Sequence, residues 1–569
     1  MISKIGFSNY KAFIQGELEI KPLTILLGAN SVGKSSLIQL LLMLQQTAKE
    51  TKNGYNKSAF KLNGEFVSLG ENINLLRNKD KEQKLGLSFD LEKAYTRQLS
   101  QELPLLFYRF IDKVFFALVP DFKEKSENQK NEWRTNRVVF LNYLTEARKE
   151  YKNLDSTYFY SFIFSFLDQQ KEIIGIYDFL KSLIPLLQKG NVCTLSLLFN
   201  YVEGNKAVTN SFEICEVSIL CEHKNLLSVK INNDKNGKTG ILNSDFIKEE
   251  SCCLVHSYID YITSMFMNSG SNLFHLFTEG VISFDNLFYE RREKYSLSLL
   301  FFIRIIQIAI QNLEKTFGGI NVNYVSPLRA YPKRYYFLDR THVSSSLDTL
   351  NGDLIAELLK EKISLRNDVN KWLQHFNMSI DVESIEEIIH KLKINQNGLS
   401  LDITDVGFGV SQILPVIVQG FFAKHGSLTL IEQPEVHLHP RMQADLGDLF
   451  IDIALPNKDK CRECDKYLLI ETHSEYLLKR IRRRMAMKEI RPSDVAIYIV
   501  KENKELNCSE LQKIKINQFG SFEWPEEFYG GELLKRALKK MPIFGKTNEN
   551  AVSFYTCELF SDIQIPSSF

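Results

Sequence analysis

Ten residues near the amino terminus have the types and spacing that a phosphate-binding loop needs. Residues 27–36 read L-G-A-N-S-V-G-K-S-S, which fits the pattern G-x-x-x-x-G-K-[ST]. Glycines allow a tight loop whose backbone N–H groups face phosphate oxygens, the lysine brings a positive charge to the β- and γ-phosphates, and the next hydroxyl binds Mg²⁺. The pattern predicts a site for ATP and Mg²⁺. Its members are Gly28, Ser31, Gly33, Lys34, Ser35 and Ser36.

The elements on either side of this loop are those that such a site needs. The apolar run Leu23–Leu27 predicts a buried strand, and the leucine-rich run from Leu37 to Leu44 predicts a helix. The N-terminus of that helix would face the phosphates. A chance glycine-rich turn is the alternative, and the flanking strand and helix argue against it.

A second group of chemically suggestive residues follows residue 400. Leu428–Glu432 is an apolar strand that ends in an acid, the Walker B pattern, which predicts that Glu432 holds the Mg²⁺ shell on the side opposite Ser35. A further apolar strand at 467–470 leads into E-T-H-S, where His473 is expected to sense or polarise the γ-phosphate. An ordinary surface histidine is the alternative.

The stretch D-V-G-F-G-V-S-Q-I-L-P at 405–415 predicts another helix whose N-terminus faces phosphate. Gly409, Ser411 and Gln412 are its candidate contacts. The alternative is a simple helix cap with Ser411 at the cap position.

The chain as a whole has the composition of a folded protein, and its net charge is too small to produce a strong electrostatic field. Of its 569 residues 44% are hydrophobic and 24% charged, and the net charge is +1, so contact with nucleic acid must come from a local patch. Nine cysteines do not make a secreted disulfide framework, no signal peptide opens the chain, and the most lipid-like run, 297–309, is too short to span a membrane. We therefore expect a cytoplasmic protein without a membrane partner.

The order of the patterns predicts one ATPase core that is interrupted by an insertion. Strand patterns dominate 1–90, long helical patterns with strand candidates at 213–220 and 226–231 fill 91–318, and strands and motifs return in 319–530, before a tail at 531–569. Helices are predicted at 103–119, 138–152, 158–187, 246–267 and 287–317, with further helical stretches in 354–392.

Together these motifs resemble the ABC/SMC-like ATPases. G-A-N-S-V-G-K-S matches Walker A, F-G-V-S-Q the signature region, L-I-E-Q-P-E Walker B and E-T-H-S the switch histidine. Three segments are similar in sequence to the AAA-type ATPases with an SMC-like head in bacterial anti-phage systems, the Septu- and retron-associated PtuA group. They are V-S-P-L-R-A-Y-P-K-R-Y-Y, I-E-Q-P-E-V-H-L-H-P and F-G-S-F-E-W-P-E-E-F-Y. The resemblance implies an α/β fold, namely an ABC/SMC-like P-loop ATPase head with a large, mostly helical insertion.

The resemblance also implies a composite site and partners. Two heads of such a homo-oligomer dimerise head to tail, so Ser411 and Gly409 would contact the γ-phosphate of the other copy, and Asn30 would lie near the attacking water. The implied partners are an HNH nuclease like PtuB and, in retron systems, a reverse transcriptase with its msDNA. The alternative is a housekeeping SMC-like DNA-repair ATPase. An ABC transporter subunit is disfavoured by the insertion and by the wording P-E-V-H-L-H-P.

One residue departs from the family pattern. The usual catalytic glutamate directly after the Walker B acid is replaced by Gln433, whose amide can orient water but cannot accept its proton. Either Glu435 acts as the base, or hydrolysis is slow and the ATP-bound dimer persists. We expect slow or conditional turnover.

A basic run and a cysteine pair are the remaining candidates. Arg480, Arg482, Arg483 and Arg484 could contact a DNA backbone, as could Arg329, Lys333 and Arg334 in their basic loop, or the run could be a solvated helix face. Cys461 and Cys464 lack a second pair at zinc-site spacing, which leaves a loop thiol pair or a shared zinc site. The tail after Ile499 has no nuclease pattern, so any nuclease would be a separate partner.

Overall fold

The computed structural model describes most of the chain. The described residues are 2–50, 58–91, 93–118, 124–136, 139, 142, 170–204, 210–234, 237–246, 273–275, 297–319, 321–329, 331–337, 353–386, 388–456 and 466–523. Residues 1–521 form one compact unit and 522–569 form a second, of which only Phe522 and Glu523 are described.

Strands form a large and a small sheet. The large sheet has 13 strands in the order β8-β7-β6-β5-β4-β1-β2-β17-β16-β3-β15-β14-β9, and β10 to β13 form the small one. The strands are β1 Lys4–Tyr10, β2 Phe13–Glu19, β3 Leu23–Gly28, β4 Leu85–Leu91, β5 Cys193–Val202, β6 Ser211–Cys221, β7 Lys224–Asp234, β8 Gly237–Asn243, β9 Val322–Val325, β10 Tyr336–Phe337, β11 Met378–Ser384, β12 Ile389–Gln396, β13 Leu399–Asp402, β14 Leu428–Glu432, β15 Tyr467–Glu471, β16 Val495–Asn503 and β17 Cys508–Lys513.

Ten α-helices are assigned bounds within the described ranges. They are α1 Lys34–Ala48, α2 Lys93–Leu118, α3 Glu127–Thr135, α4 Gln170–Gln188, α5 Leu297–Phe317, α6 Asp353–Glu361, α7 Ile363–Leu373, α8 Phe408–Phe422, α9 Pro440–Ala454 and α10 Glu475–Ala486.

The parallel part of the large sheet carries the predicted motifs. β16, β3, β15, β14 and β9 lie side by side and pair in parallel, and β3 and β14 are buried along their whole length. Strands that are covered on both faces consist of continuous apolar residues, so they are readily predicted from the sequence. The predicted strands at 23–27, 428–432 and 467–470 are confirmed, and so is the predicted α/β fold class.

The insertion at 91–318 contributes strands as well as helices. β5 to β8 continue the large sheet beyond β4 as antiparallel neighbours, and the strand candidates 213–220 and 226–231 belong to β6 and β7. Side chains of α2, α4 and α5 pack in the same apolar core as those of α1. The described part of the insertion is therefore built onto the head. A disulfide joins Cys193 to Cys221 across β5 and β6.

The segment 353–402 is half helix and half sheet. The helical prediction for 354–392 is confirmed for α6 and α7 but is wrong for 378–384 and 389–392, which pair as β11 and β12. Alternate residues of β12 are buried, which is the two-residue period of a half-buried strand. In so short a segment, the apolar pattern of a strand is easily confused with that of a helix.

Several predictions fall outside the described residues. They are the helices at 138–152 and 246–267 apart from isolated positions, the first part of 158–187, Cys461 and Cys464, and the tail 531–569. In the described part of the chain, no helix has the length and apolar character to cross a membrane.

Candidate nucleotide and metal site

The phosphate-binding loop joins the end of β3 to the start of α1. Gly28, Ser31 and Gly33 have positive φ angles of 140°, 64° and 104°. A Cβ on Gly28 would lie 2.4 Å from the carbonyl oxygen of Val500 on β16, so both the conformation and the close approach require glycine there. The loop leads directly into the N-terminus of α1, and the N-terminus of a helix is a favourable place for an anion.

Lys34 is folded into this loop. Its buried ammonium donates to the carbonyl oxygens of Gly28 at 3.0 Å and Ala29 at 2.6 Å. It also lies 3.8 Å from a carboxylate oxygen of Glu471. Asn30 and Ser31, at the tip of the loop, are exposed. The ammonium therefore lies within the loop where phosphate oxygens would be bound.

Two glutamates end neighbouring strands beside the loop. Glu432 on β14 and Glu471 on β15 are Cα partners, and β15 lies between β14 and the loop strand β3. The hydroxyl of Ser35 donates to Glu471 at 3.1 Å, whereas Tyr324 donates to Glu432 at 2.8 Å. The Walker B pattern predicted Glu432 as a site residue, whereas Glu471 was not predicted. The signal was present, because a second buried strand also ends in an acid.

The environment of both carboxyl groups disfavours their charge. Burial raises the pKa of Glu432 to about 7, and the nearby charge of Glu471 adds to the rise while the Tyr324 hydroxyl opposes it. Burial also raises the pKa of Glu471, with Lys34 and the Ser35 hydroxyl acting in the opposite direction. A cation between these groups would stabilise the ionised forms.

The donor atoms fit Mg²⁺. A hydroxyl and two carboxylates are oxygen ligands, the type that this ion prefers, and Mg²⁺ normally keeps waters or phosphate oxygens in its remaining positions. Across the described ranges, no group of three or more His, Cys, Asp or Glu side chains could hold a metal by itself. This site would thus be completed by Ser35, water and nucleotide.

Arg329 forms hydrogen bonds to two backbone segments in the second half of the site. Its buried guanidinium donates to the carbonyl oxygens of Glu432 at 3.0 Å, Gln433 at 3.1 Å and Gln412 at 3.4 Å. Burial lowers its pKa to about 10, and the charge of Glu435 opposes this. Since these carbonyls enclose it, Arg329 is not placed to contact a DNA backbone, and that suggestion is wrong.

Gln433 and Glu435 have different surroundings. Gln433 adopts a left-handed backbone with φ of 44°, and its N–H donates to the carbonyl of Glu471 at 2.8 Å. Glu435 is buried, and its two oxygens accept from the Thr472 hydroxyl at 2.8 Å and the His473 N–H at 2.6 Å. Glu435 is thereby engaged in holding the loop of His473, and a general base would need one of these oxygens free.

His473 lies at the start of that loop, next to the end of β15. Burial lowers its pKa, and the charge of Lys34 lowers it further, so the neutral ring is favoured near neutral pH. Its buried Nε2 has no hydrogen-bond partner among the described residues. The ring nitrogen is available to a ligand, as the sequence predicts for a phosphate sensor.

The signature stretch packs on the same chain. A Cβ on Gly409, in the first turn of α8, would lie 3.1 Å from the carbonyl oxygen of His437. Ser411 and Gln412 are only 5% and 4% exposed. Because the Ser411 side chain is covered by its own chain, contact with the nucleotide of a second copy, which stays a prediction, requires a rearrangement there.

The arginine run of α10 is mostly part of a helix interface. Arg480 pairs with Asp445 at 3.0 Å and Asp448 at 2.6 Å, and Arg484 pairs with Asp448 at 2.7 Å and Glu489 at 2.8 Å. Two of the four arginines that were predicted to contact DNA therefore join α9 to α10. The solvated-helix alternative describes Arg480 and Arg484 no better, since both are partly buried.

The other two arginines of the run differ. Arg482 donates to the hydroxyl of Ser521 at 3.2 Å, and Arg483 is exposed. Arg483 remains the clearest candidate for a phosphate contact.

Two family models match the chain, one in its first third and one in its second half. "AAA ATPase domain" matches 338–478, which includes Glu432 and Glu471, and "AAA domain, putative AbiEii toxin, Type IV TA system" matches 23–171, which includes the phosphate-binding loop. The two matched ranges are therefore similar to AAA-type ATPase domains. Both halves of the site thus lie in matched sequence. No curated protein matches the chain.

Solved structures with some likeness to this chain are heads of SMC proteins. The SMC head domain from Thermotoga maritima is 7% identical, with a TM-score of 0.31, over 90% of this chain and 99% of that one. An Smc head bound to the C-winged helix domain of ScpA is 8% identical, with a TM-score of 0.33, over 91% and 98%. The Pyrococcus furiosus Smc head with an extended coiled coil, bound to the C-terminal domain of ScpA, is 6% identical, with a TM-score of 0.31, over 90% and 96%.

Proposed function

We propose that this ATPase binds ATP with Mg²⁺ at the described site and hydrolyses it slowly. The observation that carries the proposal is the meeting of Lys34 and Ser35 with two buried acids at the carboxyl edge of the parallel strands. This edge is where α/β proteins bind their ligands.

The chain's own groups have distinct tasks in this proposal. Lys34 exchanges its carbonyl partners for phosphate oxygens, and N–H groups at the start of α1 bind the same phosphates. Mg²⁺, held by Ser35 and Glu432, would neutralise charge on the β- and γ-phosphates. His473 contacts the γ-phosphate through Nε2. Gln433 orients water but cannot take its proton, which makes hydrolysis slow.

The biological role that we propose is control of an effector in anti-phage defence. The ATPase would form a head-to-tail dimer or larger homo-oligomer and regulate an HNH nuclease like PtuB, with a retron reverse transcriptase, its msDNA or other DNA as further partners. The sequences of the motifs around Glu432 and His473 resemble those of ATPases in anti-phage systems, which supports this role. The alternative is an SMC-like DNA-repair ATPase.

Nucleotide binding tests the core of the proposal. We expect Lys34→Ala to weaken binding of a fluorescent ATP analogue in Mg²⁺ by about tenfold to a hundredfold, since one charge-assisted hydrogen-bond donor is lost. Lys504→Ala, at an exposed position outside the site, is the matched control and should bind like the parent. Equal affinity of Lys34→Ala and the parent would contradict the assignment of this loop.

The role in defence is tested separately. The tagged protein is purified from cells that carry its neighbouring genes, and those cells are challenged with phage. Co-purification of an HNH nuclease, together with protection that Lys34→Ala abolishes, supports the proposal. Purification without a nuclease and without protection favours the repair alternative.

A further inference from the structure

We infer that Glu471 is a second metal-binding carboxylate of this site, and that the site takes up a divalent cation before nucleotide arrives. The inference rests on the proposed function for the identity of the site. It goes beyond that function because it assigns Glu471 and an order of binding.

Position carries the first step of the argument. β15 lies between β3 and β14, so Glu471 is one strand nearer to the phosphate-binding loop than Glu432 is. The register places the two glutamates side by side at the same sheet edge. The hydroxyl of Ser35, which the loop pattern assigns to the metal, donates to Glu471 at 3.1 Å. Glu471 therefore lies within reach of a metal that Ser35 binds.

Charge carries the second step. The described buried charges of the site are the acids Glu432, Glu435 and Glu471 and the cations Lys34 and Arg329. In their ionised forms they sum to 2 − 3 = −1. Arg329 donates to backbone carbonyls, and Lys34 donates to carbonyls in addition to its ion pair with Glu471. A divalent cation changes the sum to +1, and buried carboxylates are stabilised by binding metals.

The geometry of Lys34 carries the third step. Its ammonium lies 3.8 Å from Glu471, and both side chains are only 3% exposed. A cation that bound Glu471 would take over the compensation of that carboxylate. Lys34 would then be released for phosphate, so metal binding prepares the loop for ATP.

The test measures metal binding by the full chain without nucleotide. Mn²⁺ is the probe, because it replaces Mg²⁺ at oxygen sites and its free fraction is read by electron paramagnetic resonance. The variants are Glu471→Gln, which keeps the shape but removes the charge, and Glu471→Asp, which keeps the charge. Glu502→Gln, at an exposed position of β16, is the matched control.

We expect the parent and Glu502→Gln to bind one Mn²⁺ each, and Glu471→Gln to bind it roughly tenfold or more weakly. Glu471→Asp should lie between them. Thermal unfolding of each variant identifies a folding defect, and a Glu471→Asp variant that folds keeps the test decisive if Glu471→Gln does not. Equal Mn²⁺ affinity of the parent and a folded Glu471→Gln, or no Mn²⁺ binding by the nucleotide-free parent, would overturn the inference.

A parallel titration with the ATP analogue separates the two levels of the account. A parent that binds the analogue in Mg²⁺ but takes up no Mn²⁺ without nucleotide refutes the order of binding and leaves the proposed function standing. A parent that binds Mn²⁺ through Glu471 but never binds the analogue refutes the proposed function and leaves the metal site standing.

Discussion

Two clusters of charged side chains in this molecule are built on opposite principles. Between α9 and α10, Asp448 meets both Arg480 and Arg484 at 2.6 and 2.7 Å, so opposite charges are matched within the chain. At the nucleotide site, Glu432 and Glu471 lie side by side with hydroxyl partners and a single lysine at 3.8 Å. Matched charge joins two helices, whereas unmatched buried charge marks a site that a ligand completes.

The comparison explains why sequence signals for charge can mislead. The run of arginines in α10 is conspicuous in the sequence, yet its partners Asp445 and Asp448 lie 32 or more residues earlier and their pairing depends on how α9 packs. Glu471 is only one residue of the E-T-H-S motif and is inconspicuous in the sequence. It nevertheless lies in the site, because β15 is inserted between β3 and β14.

The largest effect among the variants that probe this contrast is expected for Glu435→Gln. It weakens the two hydrogen bonds that hold the loop of His473, and we expect kcat to fall about tenfold with little change in KM, because positioning in the transition state is lost. Glu502→Gln is the control for steady-state kinetics. A change in KM alone would assign Glu435 to ground-state binding, and an unchanged kcat would contradict its positioning role.

The next effect concerns the matched cluster. Asp448→Asn removes a partner of both Arg480 and Arg484, and we expect the free energy of unfolding to fall by about 1 kcal/mol at pH 7, with ATP binding unchanged. Denaturant unfolding measures it. Loss of ATP binding at full stability would show that the two clusters are coupled.

The pH dependence of this loss has a defined sign. Burial raises the pKa of Asp448, but the hydrogen bond from Arg484 and the charge of Arg480 outweigh it, so the folded pKa is lowered. The stabilisation is therefore fully present above the unfolded pKa of about 3.9 and is lost as the pH falls through the folded value. The difference between parent and Asp448→Asn should shrink below about pH 4.

The smallest effect is expected for the exposed member of the run. Arg483→Ala should leave the free energy of unfolding within about 0.5 kcal/mol of the parent. If α10 touches DNA, the same change should weaken binding and reduce the salt slope by about 1. Binding of double-stranded DNA at several salt concentrations decides this, and an unchanged slope would remove Arg483 from any DNA contact.

The sequence predicted those parts of the molecule that depend on short-range patterns. The loop 28–36, β3, β14 and β15 are continuous motifs or apolar runs, so their conformation follows from local residues. Long-range pairing was beyond such patterns. The order of the strands, the engagement of Glu435 by Thr472 and His473, and the enclosure of Arg329 by three carbonyls join segments that are distant along the chain.

The prediction of slow turnover concerns Gln433, and steady-state ATP hydrolysis by the parent and by Gln433→Glu tests it most directly. Gln433 follows the acid of β14 and cannot accept a proton, so the account predicts slow but measurable turnover in the parent that rises in Gln433→Glu, with ATP binding retained in both. Thermal unfolding of the variant checks that the added charge is tolerated. Brisk turnover by the parent, with no gain in Gln433→Glu, would contradict the account.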